Sequence, residues 1–155
     1  MADVKINEIL EKLDNSLEIH QGVIRVTNPS KFRENVGKLA GMSALGSGET
    51  QGLARYLTRA AALDLGIIPA SIHDLYMARG RGEVPLVFTV PAINLRALSF
   101  DAARIIFRVA KSMDAGAFIF EIARSEMGYT EQRPAEYTTS VLAAAIAEGF
   151  TGPVF

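Results

Sequence analysis

The sequence predicts an α/β fold with parallel strands, preceded by a helical amino-terminal extension. Residues 84–93 and 117–122 are apolar runs with the β-branched and aromatic content of strands buried on both faces. Between them, apolar residues recur at three-to-four-residue spacing after Ser99, which predicts an amphipathic helix that Ser99 caps. Two buried strands joined by one helix require a parallel crossover, which is right-handed in nearly all proteins.

Residues 1–82 form the predicted extension. Its expected elements are helices over residues 4–19, 30–40, 49–65 and 70–79, with a short strand or extended connector over 23–26. The glycine-rich stretch GMSALGSGETQG could suggest a phosphate-binding loop, but no Lys-Ser or Lys-Thr pair follows it and no strand precedes it. A turn between helices, with Ser47 as the next cap, explains this stretch better.

Residues 83–155 are predicted to begin a barrel. A polar loop over 124–133 follows the second strand, Pro134 opens a helix, and Gly152 starts a third strand. Domains seldom stop at the opening of a core strand, so we expect the amino-terminal part of a longer protein. A complete (β/α)8 TIM barrel takes about 250 residues, so these residues would supply its first three strands.

The composition restricts the classes of function. The chain has 155 residues, of which 49% are hydrophobic and 21% charged, as in ordinary globular proteins. A formal net charge of -1 gives no global field to attract nucleic acid or an anionic membrane, so neither partner is expected. The absence of cysteine excludes disulfides, thiolate metal sites and cysteine nucleophiles. With no signal sequence and no bilayer-length apolar run, we expect a cytoplasmic protein.

Two segments carry a resemblance to a known family. The run VPAINLRALSF, followed by a helix and AFIFEIA, resembles the opening of class II ketose-bisphosphate aldolases, where a Val-Pro-Ala-Phe-Asn-like strand end leads to a helix and a second strand. Residues 121–137, EIARSEMGYTEQRPAEY, resemble the related tagatose-bisphosphate aldolase accessory subunits. That pattern has Glu and Ser after the second strand, then Gly-Tyr-Thr, a Pro that opens a helix, and an acidic-aromatic pair. The likeness covers residues 84–155 and the helix over 72–79.

The resemblance implies a zinc-dependent barrel lyase of carbohydrate metabolism and glycolysis. Such enzymes cleave fructose or tagatose bisphosphate, with zinc acting as a Lewis acid on the enediolate oxygen. The family's metal ligands and its proton-transferring Asp would follow the third strand, outside this sequence, so this chain alone would be inactive and would hold no zinc. The expected partner is a phosphorylated sugar, and a homo-oligomer is expected.

Four residues are the candidates for substrate binding. Asn94 matches the family's Asn at the end of the first strand, and Glu121 and Ser125 match the accessory-subunit pattern. Arg124 is placed where it could meet a phosphate. A carboxylate within an apolar strand is costly unless it is paired, so Glu121 is expected either in a site or beside a partner such as Arg124. Catalytic aldolases carry a Ser near the position of Ala123, and this sequence departs from that pattern.

The residues leave other interpretations open. Asn94 could satisfy backbone groups at a strand end, and Ser125 could be a locally bonded loop residue. His20 and His73 have no second ligand at zinc spacing. The alternatives to an aldolase-type lyase are a non-catalytic accessory subunit that binds a catalytic partner, and a helical interaction module without an active site.

Overall fold

The structure is a computed structural model that describes residues 2–84, 87–90, 96–115 and 117–155. The helices are α1 (Ala2–Lys12), α2 (Pro29–Asn35), α3 (Gly37–Leu45), α4 (Gly48–Asp64), α5 (Ile72–Gly80), α6 (Ser99–Ser112), α7 (Arg124–Thr130) and α8 (Pro134–Ala147), and a 3-10 turn spans Arg96–Leu98. The strands are β1 (Leu17–His20), β2 (Val23–Val26), β3 (Ile67–Pro69), β4 (Val87–Val90), β5 (Ala117–Phe120) and β6 (Gly152–Val154).

The described strands do not form the beginning of a TIM barrel, so that predicted fold class is wrong. They make three two-stranded sheets in a mainly helical chain: β1 with β2 antiparallel, β3 with β6 parallel, and β4 with β5 parallel. A barrel needs successive strands hydrogen-bonded into one closing sheet. Here β6 pairs with the three-residue β3, which lies within the predicted extension. The division at residue 82 stays a prediction.

The strands before and after α6, β4 and β5, pair in parallel, as the sequence predicted. β4 and β5 align from Val87 with Ala117 to Val90 with Phe120. β5 ends at Phe120, two residues before the predicted run over 117–122 does. Residues 85–86 and 91–93 of the first predicted run lie outside the described residues. Two backbone hydrogen bonds continue from the carboxyl end of β5, from Glu121 N to Val90 O at 3.3 Å and from Phe120 N to Phe155 O at 2.8 Å. The carboxyl ends of β4, β5 and β6 are therefore neighbours.

The predicted helix over residues 4–19 divides into a helix and a strand. Asp14 and Asn15 adopt positive φ values of 54° and 49°, a conformation that ends α1 after Lys12. The chain then turns back at Gln21 and Gly22, both at positive φ, and joins β1 to β2 in a two-residue hairpin. Residues 23–26 are thus a strand, which was one of the two predicted alternatives.

Helix starts differ from prediction in their caps. Asn28 caps α2, because its side-chain oxygen accepts a hydrogen bond from Lys31 N at 3.1 Å, so this helix begins at Pro29, one residue before the predicted helix over 30–40. Leu98 occupies the cap position of α6, where Ser99 is the first helical residue. The polar segment that was predicted as a loop over 124–133 contains the seven-residue helix α7.

Helix α8 is the centre of the core. Ten of its residues are buried, in the run from Glu136 to Ile146, and it packs against α3, α4 and α6. A helix segment buried all round is expected to be apolar all round, as residues 141–146, VLAAAI, are. The Phe107 ring of α6 lies 5.3 Å from the Phe120 ring and 5.1 Å from the Phe150 ring, measured between centroids. This aromatic cluster fixes α6 against β5 and the segment before β6.

Candidate functional site

A cavity of about 220 Å³ lies at the carboxyl ends of β3, β5 and β6. Its lining residues come from these strand ends and from α8: Pro69, Ala70, Phe120, Ile122, Tyr137, Thr138, Val141, Leu142, Val154 and Phe155. The backbone hydrogen bond from Ala70 N to Val154 O, 2.8 Å long, holds the ends of β3 and β6 together. The carboxyl edge of parallel strands is where α/β proteins place ligands, so this is the candidate site.

Three of the four predicted site residues follow the carboxyl end of β5. Because β5 ends at Phe120, Glu121 lies one residue beyond the strand and its side chain is exposed. Arg124 and Ser125 are exposed in the first turn of α7. Among the described residues, no side-chain hydrogen bond or ion pair joins Glu121 to Arg124. Asn94 lies outside the described residues.

The chain connects these residues to the cavity directly. Phe120 and Ile122, the neighbours of Glu121, both line the cavity. Glu121, Arg124 and Ser125 are not themselves among the residues that line the cavity. A ligand held against this apolar wall would have to extend beyond the cavity to reach their polar groups. Arg124 supplies a planar set of donors suited to a phosphate or carboxylate.

Sequence reasoning missed a second group of polar residues, around Gln132. Its side chain is fully buried, and its Oε1 accepts hydrogen bonds from Ser99 Oγ at 3.1 Å and from Arg96 N at 3.3 Å. The Gln132 Nε2 and Arg96 Nε donors are buried and have no partner among the described residues. A buried donor without a partner costs about 1–3 kcal/mol. No sequence pattern indicated this burial, because Gln132 is one polar residue in a polar segment.

Arg96 itself adopts a strained backbone. Its φ of 47° lies in the left-handed region, which costs a non-glycine residue about 1 kcal/mol or more. Its Nη2 donates a long hydrogen bond of 3.5 Å to Ala44 O, in the last turn of α3, and its Nη1 lies 3.7 Å from the Glu131 carboxylate. The guanidinium is therefore held at the point where α3, α6 and the segment before α8 meet.

The ion pairs of the core hold helices together and do not form the site. Arg104 Nε and Arg108 Nε of α6 donate to the two oxygens of Glu148, at 2.6 and 2.7 Å. The Arg108 hydrogen bond, with a further contribution from Arg104, lowers the pKa of Glu148 against the opposing effect of burial. Glu148 is the residue directly after α8, so this pair of bonds ties α6 to the end of α8.

Two further carboxylates make similar connections. Asp64 accepts from Val26 N at 2.8 Å and from Arg25 Nη1 at 2.5 Å, and the backbone hydrogen bond chiefly lowers its pKa. The β1–β2 hairpin is thereby fixed to the end of α4. Glu136 accepts from Arg55 Nη2 at 3.1 Å and from Arg133 N at 3.2 Å, which ties α4 to the start of α8.

The described residues do not fit a zinc ion. No group of three or more His, Cys, Asp or Glu side chains in the described part of the chain is arranged to hold a metal. His20 lies on β1 and His73 on α5, and both side chains are exposed.

No protein-family model, no curated protein and no solved structure matches this chain. Among the helices that the structure describes, none is both long enough and apolar enough to span a bilayer.

Proposed function

We propose that the protein binds a ketose bisphosphate at the carboxyl ends of β3, β5 and β6, as part of an aldolase-type lyase. The observation that supports this is that Phe120 at the end of β5 lines an apolar cavity, and that the chain continues from it into exposed Glu121, Arg124 and Ser125. The resemblance of residues 121–137 to the aldolase-related pattern adds the substrate class.

The exposed groups have complementary chemistry for such a ligand. Arg124 can donate two parallel hydrogen bonds to a phosphate, and Glu121 and Ser125 can bond the hydroxyl groups of the sugar. These are roles in binding and orientation. The resemblance places the zinc ligands outside this sequence, so zinc chemistry belongs to the proposed longer protein.

Isothermal titration with fructose 1,6-bisphosphate tests the proposal. We expect saturable binding that Arg124→Ala weakens at least tenfold, about 1.4 kcal/mol. Arg59→Ala is the matched control, because Arg59 is an exposed arginine on α4. Equal binding by both variants, or none by the unmodified chain, would refute the assignment of Arg124. Cleavage of the same sugar by a longer protein that contains this chain, with zinc and then with a chelator, tests zinc-dependent lyase activity; no turnover, or turnover that the chelator leaves unchanged, would oppose it.

One observation favours a second candidate, the non-catalytic accessory subunit. Helix α6 exposes an apolar stripe at four-residue spacing, with Ile105, Val109 and Met113 each about half or more exposed. Such a stripe suits a partner helix. If the chain is an accessory subunit, adding it to a catalytic class II aldolase should raise that enzyme's stability, and Val109→Asp should remove the effect. Sedimentation of the chain alone separates this candidate from self-association.

A further inference from the structure

The buried amide of Gln132 has a fixed orientation. Its Oε1 already accepts two hydrogen bonds, from Ser99 Oγ and from the Arg96 backbone, so its Nε2 must carry both remaining donors. The side chain is 0% exposed, so open solvent does not reach these donors. An amide held on one side and unsatisfied on the other is a preorganised donor pair.

Arg96 adds a third donor of the same kind. Its Nε is buried and lacks a partner among the described residues, although its Nη1 and Nη2 have contacts. Because Arg96 N donates to the Gln132 amide oxygen, the two residues lie side by side. The side-chain oxygen of Gln132 and the carbonyl of Ala44 both accept hydrogen bonds from Arg96, so this residue is held from two sides.

We propose that Gln132 and Arg96 form an oxyanion-binding site that takes a phosphate group. The unsatisfied groups are all donors, so the ligand must be an acceptor, and the guanidinium favours a negative one. Ser99, which contacts Gln132, is the first residue of the 14-residue helix α6, whose amino end carries partial positive charge. Glu131 is the opposing group, but its side chain is 82% exposed and can turn toward water.

This site uses none of the residues of the proposed sugar-phosphate site. Gln132 and Arg96 belong to different segments from Glu121, Arg124 and Ser125. The same phosphate chemistry could come from free inorganic phosphate or from a phosphate ester of a sugar. The test therefore uses inorganic phosphate and fructose 1,6-bisphosphate as separate probes.

The experiment is a titration of the full chain with inorganic phosphate. Binding is measured by calorimetry and by the shift in thermal unfolding temperature, and chloride is added to hold the ionic strength constant. Gln132→Met keeps the length of the side chain but removes the amide donors. Arg96→Gly removes the guanidinium and relieves the left-handed strain, so loss of binding does not follow from strain. Arg59→Ala is again the control for an exposed arginine.

We expect the unmodified chain and Arg59→Ala to bind phosphate within twofold of each other, and Gln132→Met and Arg96→Gly to bind at least tenfold more weakly. A thermal shift no larger than chloride produces would overturn the proposal and leave the buried donors to ordered water. Equal phosphate binding by all variants would also overturn it. If phosphate binding does not depend on Gln132 and Arg96 while fructose 1,6-bisphosphate binding still depends on Arg124, the oxyanion site is wrong and the proposed function stands. If phosphate binding depends on Gln132 and Arg96 while fructose 1,6-bisphosphate binding does not depend on Arg124, the oxyanion site stands and the proposed function is wrong.

Discussion

Replacing Glu148 by Gln should destabilise the fold, because this carboxylate joins α6 to the end of α8. Its side chain is only 12% exposed and accepts two guanidinium hydrogen bonds. A hydrogen bond to a charged group contributes about 1.5–3 kcal/mol when it is well buried. Arg104 and Arg108 are 34% and 59% exposed, so solvent screening reduces this contribution. We expect a net loss of about 1–3 kcal/mol.

Urea unfolding of Glu148→Gln at neutral pH measures this loss. Glu83→Gln is the matched control, because Glu83 also accepts two guanidinium hydrogen bonds, at 2.6 and 2.8 Å from Arg81, but in an exposed pair. The control should lose far less stability than Glu148→Gln, since exposed ion pairs contribute little. Equal losses in the two variants would refute the argument that burial gives the Glu148 pair its weight.

The pH dependence of the same variant has a defined sign. The folded-state pKa of Glu148 is lowered below its ordinary value of 4.5, so its stabilisation is complete above that value. It is lost as the pH falls through the lowered pKa, where the carboxyl is protonated in both states. The difference between the unmodified chain and Glu148→Gln should therefore shrink with acidification below about pH 4.5. A difference that grew on acidification would contradict the assignment.

Four other substitutions test stability with the same unfolding measurement. Phe107→Ala should cost about 3–5 kcal/mol, because it empties the centre of the aromatic cluster; a loss below 1 kcal/mol would place the core elsewhere. Asp64→Asn should cost about 1–2 kcal/mol near neutral pH and nothing in acid, because the folded-state pKa of Asp64 is lowered. Gly41→Ala should stabilise α3 by about 0.5–1 kcal/mol, since open space surrounds its Cβ position. Gly37→Ala should stabilise α3 less than Gly41→Ala does, because the new methyl would lie 2.8 Å from the Phe100 ring. Equal stabilisation by the two substitutions would contradict this expectation.

Local periodicity predicted the elements that bury a continuous apolar face. The parallel pair β4–β5, the helix between its strands and the apolar helix α8 are elements of this kind. Local periodicity did not predict the structure where a non-local contact or one backbone conformation decides it. Leu13 and Leu17 share a four-residue spacing, so the pattern continued as a helix, and only the left-handed Asp14 and Asn15 end it.

The error in fold class has a similar cause. Strands β3 and β6 have three residues each, too few to show a period, and their pairing brings together residues that are distant in sequence. Alternation of strands and helices after residue 84 predicted a sheet that grows by sequential pairing. The helical packing around α8 and the pairing of β6 with β3 set the architecture instead.

The site was predictable only in part. Glu121 was predicted within an apolar strand over residues 117–122, and it lies one residue beyond β5, which ends at Phe120. Its exposure was not evident from the sequence, because burial of a strand end depends on what packs over it. The burial of Gln132 and Arg96 was likewise not evident from the sequence. Whether an amide inside a polar segment is buried depends on tertiary contacts.

Backbone-amide NMR during a titration with fructose 1,6-bisphosphate tests the central claim most directly. We predict saturable shifts that concentrate at Glu121, Arg124 and Ser125 and at the cavity residues around Phe120, with the remote hairpin of β1 and β2 unchanged. Shifts confined to that hairpin or to α1, or the absence of saturable shifts, would contradict a sugar-phosphate site at the carboxyl ends of these strands.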